Sequence, residues 1–367
     1  MKKVFSLILV SLIFTCYSVS QVTHEKLFKP SYIKKAMKKA SSWQFKNPKH
    51  ELYDWTNSAY YAGVFAAYEA TGPKKIYKAL IGMGESTDWK PGPRLKHADD
   101  HAICQTYIDL YRIEKDNKMI QPFINTMDEF MATPHVVEDI HMCTWWWCDA
   151  LFMGPPAFVK LGITLGDDKY LALSDKLFQE CYDLLYDKEE KLYARDKRYK
   201  WTDEVPETLK EANGEKIFWS RGNGWVMGGL VRVLKELPAD YPKRDFYLNN
   251  YKEMAEKIAS LQQQDGLWRA SLLDPRSYPG GECSGSGFYC YALAWGLNNG
   301  ILDEVKFLPV VEKAWQGLTG LQKKNGMVGW VQPIGADPKK NFSEDSWEVY
   351  GTGAFLLAGS EVLKLSR

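Results

Sequence analysis

Residues 284–298 read SGSGFYCYALAWGLN, and residues 304–323 read EVKFLPVVEKAWQGLTGLQK. The first stretch is small or apolar nearly all round, the composition of a helix buried on every side. In the second, Val305, Leu308, Val311, Ala314, Trp315, Leu318 and Leu321 step by three or four, the stripe of a helix with one wet face. The same alternation recurs along the chain. Buried-type segments lie at 55–71, 99–113, 145–161, 219–237, 284–298 and 347–365, and amphipathic ones at 31–43, 74–84, 117–131, 167–186, 243–264 and 304–323. Six such pairs predict an all-α fold, an (α/α)6 barrel or six-hairpin toroid, with the buried helices as an inner ring.

If the inner helices run parallel, their N-terminal ends open on one face, and the residues there converge on one cavity. Those starts are rich in Trp, Asp and Gly, although Asp also caps helices and Gly relieves crowding. The composition agrees with a ligand-stacking cavity. Of 367 residues, 14% are aromatic and 45% hydrophobic, and an aromatic excess suits stacking against sugar rings as well as filling a core. The 47 basic and 46 acidic residues nearly cancel, and no long basic block gives an electrostatic footprint for nucleic acid.

At the N-terminus, Lys2 and Lys3 precede an apolar run from Val4 to Phe14 and small residues near Ser18 and Ser20, so residues 1–20 read as a signal peptide. Residues 21–367 then form a single catalytic domain, periplasmic or secreted, with no membrane span expected. Cys16 raises a lipid-anchor question, but Phe14 and Thr15 before it fit such a site poorly. Export would permit a disulfide, and Cys283 and Cys290 are near neighbours. The other cysteines sit in apolar surroundings, where the thiol behaves as a small hydrophobe. His141, Cys143 and Cys148 match no zinc spacing, so neither a metal nor a cofactor is expected.

Asp99 and Asp100 open the second buried segment, and Asp149 lies inside the third, directly after Trp145, Trp146, Trp147 and Cys148. Burial against Trp and a neighbouring carboxylate both raise a carboxyl pKa, so Asp149 is placed to hold a proton near neutral pH, as a general acid must; a capping or salt-bridged Asp is the plainer alternative. In FWSRGNGW (218–225), Arg221 has a fixed direction suited to a ligand carboxylate, unless it is bonded to structural carbonyls, and Trp219 and Trp225 offer flat faces for a pyranose. His97, His101 and His141 read as polar lining or structural residues. There is no GxSxG, Walker loop or dinucleotide fingerprint.

The segments HADDHAICQTYIDLY, WWWCDALFMGPPAFVKLG, FWSRGNGWVMGGL, DGLWRASLLDP and SGSGFYCYALAWGLNNGIL, taken in order, closely resemble the unsaturated glycuronyl hydrolases of glycoside hydrolase family 105, relatives of family 88. The resemblance runs from about Trp55 to Leu363. It implies a glycosidase that removes a 4-deoxy-4,5-unsaturated uronic acid from the non-reducing end of polysaccharide-lyase products, commonly next to rhamnose, as in rhamnogalacturonan or ulvan fragments. The implied chemistry is hydration of the C4=C5 vinyl ether, with no flanking carboxylate pair needed in the usual way. By motif position Asp149 matches the acid and Asp99 the second acid, since it keeps the distance to Leu110 and Tyr111, with Asp100 as the alternative; Trp147, Trp219 and Arg221 match substrate contacts, and Tyr60 and His141 are further candidates. Cys104 departs from the Gly frequent at its position in relatives. A conventional inverting glycosidase and a catalytically silent sugar-binding barrel are the alternatives.

Overall fold

The computed structural model describes residues 24–134, 136–138, 141–201 and 209–366. The signal-peptide reading of 1–20 falls outside them. The outer helices are Pro30–Gln44, Lys74–Ser86, Gln121–Ala132, Asp168–Leu185, Arg244–Ser260 and Glu304–Gly320. The inner helices are Trp55–Thr71, Cys104–Glu114, Pro155–Leu165, Ser220–Leu234, Cys283–Asn298 and Val349–Leu365. Each inner helix packs on the next, and Val349–Leu365 packs back on Trp55–Thr71, so the ring closes as an (α/α)6 barrel. Every residue of Ser220–Leu234 is buried, whereas Glu304–Gly320 buries only its Phe307, Val311, Ala314, Trp315 and Leu318 stripe.

Glycine lets the inner helices approach this closely. A Cβ on Gly63 would overlap the Gly353 carbonyl, and one on Gly353 would overlap the Ala59 carbonyl, so the seam between the first and last inner helices is made of backbone in contact. Two of the inner helices start at side-chain caps. Asp54 accepts from Thr56 N at 2.9 Å, and Glu282 accepts from Ser284 N at 3.1 Å and Gly285 N at 2.6 Å.

The second and third inner segments differ from the uninterrupted helices expected. Ala98–His101 is a separate turn before Cys104–Glu114, and Ala150–Met153 a separate turn before Pro155–Leu165. In the third, Pro155 and Pro156 cannot continue a helix but suit the first turn of a new one. Asp149 therefore stands at the N-cap of a one-turn helix, at the barrel mouth, rather than inside a long one. All six described cysteines are buried and free, Cys283 and Cys290 included. No helix among the described residues is long and apolar enough to cross a membrane.

Candidate active site

The site is assembled by backbone pairing at the mouth of the ring. After the outer helix Asp168–Leu185, strand β1 (Tyr186–Asp187) turns back on β2 (Leu192–Tyr193), and the chain runs on past Trp147. Cys148 N donates to Arg195 O at 2.9 Å, and Trp147 bridges Asp196. Asn223, from the fourth inner helix, clamps the hairpin, accepting from Tyr193 N at 2.8 Å and donating to Tyr193 O at 3.0 Å. This pairing sets Arg195 beside Asp149, with Nε 3.4 Å from Oδ2.

Asp149 is 8% exposed. Burial pushes its carboxyl above the ordinary range, and the Arg195 and Arg221 charges pull the other way. Asp99 is pushed from 3.8 to about 7, first by burial and then by the charge of Asp149, with Arg94 opposing. The two carboxyls are thus electrostatic neighbours that resist losing both protons together. Asp100 is held differently: Arg94 grips its Oδ1 through Nη2 at 2.5 Å and Nε at 3.0 Å, and Arg94 N donates to Oδ2 at 2.6 Å. Of the alternatives Asp99 and Asp100, the structure leaves Asp99 as the acid facing Asp149 and Asp100 as the buried anchor of the 92–100 turn.

His97 lies over the Trp147 ring at 4.6 Å, with Nδ1 3.6 Å from Asp99. Burial lowers its pKa to about 4, so at neutral pH it is an uncharged neighbour of Asp99. His101 sits among Phe123, Phe130 and Phe158 and bonds Leu95 O at 2.8 Å, a structural arrangement. His141 stacks on Trp146 at 4.5 Å and lines, with His97 and Trp147, a cleft of about 260 Å³.

Four of the expected substrate contacts, Arg221, Trp219, Trp225 and Tyr60, are buried in the structure. Arg221 is fully buried and spends its guanidinium on the chain: Nη1 donates to Gln332 O and, at 3.1 Å, to Tyr350 Oη, and Nη2 donates to Pro333 O at 2.9 Å. It anchors a loop through Nη1 and Nη2, while its Nε has no hydrogen-bond partner and its charge acts on Asp149. Trp219 stacks on that guanidinium at 4.6 Å and donates to Gln332 Oε1 at 3.2 Å, so it belongs to the same anchor. Trp225 is wholly buried among Trp55, Phe152 and Phe288 on the barrel axis, with no face open for a sugar. Tyr60 packs its ring against Phe45 and Tyr61.

Arg195 was not singled out by the sequence. It lies in a hairpin exit, away from the helix starts where chemistry was sought, and only YARDKRY (193–199), with cations flanking one acid, marks it. Its Nη1 holds Asp196 at 2.9 Å and its guanidinium lies 5.6 Å from the Trp146 ring centre, leaving Nε toward Asp149 without a hydrogen-bond partner.

The model of Glycosyl Hydrolase Family 88 matches residues 31–366. The chain belongs to glycosyl hydrolase family 88. This family-88 hydrolase is 46% identical over 346 residues to an unsaturated 3S-rhamnoglycuronyl hydrolase of Formosa agariphila, covering 91% of each chain. A solved structure described as a polysaccharide lyase superposes with a TM-score of 0.84 at 33% identity, covering 92% of this chain and 98% of that one. A family-88 glycosyl hydrolase from Bacteroides vulgatus superposes with a TM-score of 0.83 at 30% identity, covering 91% and 99%.

Proposed function

We propose that this family-88 hydrolase removes a 4-deoxy-4,5-unsaturated uronic acid from the non-reducing end of lyase-generated oligosaccharides with a uronyl–rhamnose linkage. The observation that carries the reading is the buried Asp149–Asp99 pair, both carboxyls pushed up by burial, with Arg195 Nε 3.4 Å from Asp149. The Formosa agariphila relative supports the substrate class. Asp149 gives its proton to C4 of the C4=C5 bond, and the carboxylate it becomes takes a proton from the water that adds at C5. Arg195 stabilises that carboxylate and offsets the charge of the bound uronate. Asp99 holds the sugar hydroxyls. The product is a hemiketal that opens and expels the aglycone, so the net change is the addition of one water.

The test is the ultraviolet absorbance of the conjugated uronate in lyase-generated oligosaccharides. Absorbance lost on incubation supports hydration. Cleavage of saturated substrates, or release of the aglycone with the absorbance retained, would sink the mechanism. The same proposal places the protein outside the cytoplasm through residues 1–20; N-terminal sequencing of the mature chain that begins at Met1 would remove that part.

A further inference from the structure

The loop that Arg221 anchors continues outward to a second cleft of about 250 Å³, lined by Tyr278, Gly280, Trp330, Lys339, Lys340 and Phe342. Trp330 and Phe342 meet edge to face with ring centres 6.1 Å apart, and Lys340 Nζ lies 5.0 Å over the Tyr278 ring. Lys339 is steadied by Asp337 at 2.6 Å, and Tyr278 Oη donates to Glu211 at 3.1 Å, which fixes its ring.

Trp330 is held there at a backbone cost. Its φ is 56°, in the left-handed region that bulky residues avoid. Two backbone hydrogen bonds hold it, from its N to Ser343 O at 3.1 Å and from Cys283 N to its O at 2.9 Å. Gly280 makes room for the indole, since a Cβ there would lie 2.5 Å from Cζ3. A strained, partly exposed indole with a glycine behind it, two further rings and two amines beside it is poorly explained as core. It is the chemistry of a site for an anionic sugar, in which rings take the apolar face of a pyranose and ammonium groups take its anion.

We propose that this cleft is a second glycan-binding site, for a sulfated or carboxylated pyranose of the acidic polysaccharide, apart from the catalytic cavity. It rests on the reading that the enzyme works on acidic glycans. Gln332, two residues after Trp330, accepts from both Trp219 and Arg221, so the loop that carries Trp330 is tied to the start of the fourth inner helix. A site so placed keeps the enzyme on the polymer from which lyase products are released.

Affinity electrophoresis of the full chain tests this in gels containing intact ulvan, chemically desulfated ulvan or neutral dextran. Intact polymer is not lyase-treated and lacks the unsaturated end, so retardation reads the second site. Wild type is retarded by ulvan and not by dextran. The Lys339→Ala/Lys340→Ala double variant and Trp330→Ala each weaken binding at least about five-fold, with melting curves reporting the fold. Retardation that survives desulfation assigns the carboxylate as the recognised anion, and retardation that does not assigns the sulfate. No retardation in either acidic gel, or a lysine variant that runs as wild type does, would overturn the site. If Trp330→Ala unfolds, the lysine variant, on the surface, decides alone. Retardation without any absorbance loss on oligosaccharides would remove the catalytic reading and leave this one standing.

Discussion

Asp99→Asn should make the protein more stable at neutral and alkaline pH while impairing turnover. The Asp99 side chain is 16% exposed and its pKa is raised from 3.8 to about 7, by burial first and the Asp149 charge second. A rise of about three units corresponds to about 4 kcal/mol of differential stabilisation of the protonated form. The sign follows from linkage. Below the unfolded pKa both states hold the proton, and the folded protein has its full stability. Between that value and about 7 the unfolded chain loses the proton while the folded one keeps it, so stability falls as pH rises, then levels. Asn keeps the shape and cannot ionise. The variant and wild type should therefore melt together near pH 4, and near pH 8 the variant should gain up to about 4 kcal/mol. For a chain this long, with unfolding entropy of about 2.1 cal/mol/K per residue, that is a Tm higher by roughly 5 °C. Calorimetry across the pH range reads it directly. Parallel Tm curves for the two proteins would refute the buried, charge-coupled carboxyl on which the site rests.

Asp149→Asn should leave the fold intact and lower turnover at least about 100-fold, as loss of a general acid does. It should also bring the Asp99 pKa down, because the Asp149 charge is gone, and a carbon-13 carboxyl titration would show no movement if the two are not neighbours. Arg221→Ala should destabilise the protein by about 3 kcal/mol, since it removes hydrogen bonds to the Gln332 and Pro333 carbonyls and to Tyr350. A variant with wild-type melting and only a raised KM would restore Arg221 to substrate binding. Gly353→Ala should cost about 2–3 kcal/mol by forcing a Cβ into the Ala59 carbonyl, and an unchanged denaturation midpoint would show that the seam yields.

The barrel is legible in the sequence because burial on all sides leaves a compositional mark. Segments such as 284–298 have no wet face, and their partners such as 304–323 do. The interruptions of the second and third inner segments are less legible. The pair Pro155–Pro156 signals a restart, yet the apolar run through it reads as continuous. Asp149 and the aspartate pair stand out as charges in apolar stretches; motif position favours Asp99, and the Arg94 grip on Asp100 gives that residue a different role. The partners of Arg221 are not legible, because an Arg among glycines and tryptophans looks the same whether its carbonyl partners are structural or absent. Those partners lie more than a hundred residues away, on the loop before the last helix. Arg195 escapes because its position depends on a strand pairing with Trp147 and Cys148 that no local pattern encodes.

The seam between Gly63 and Gly353 has a consequence for synthesis. The first inner helix waits for its last neighbour until nearly the whole chain has been made, so the ring cannot close on a nascent fragment. Long-range closure of this kind slows folding, and a chain truncated before residue 349 would leave the flank of the first inner helix permanently bare, an aggregation hazard rather than a smaller enzyme.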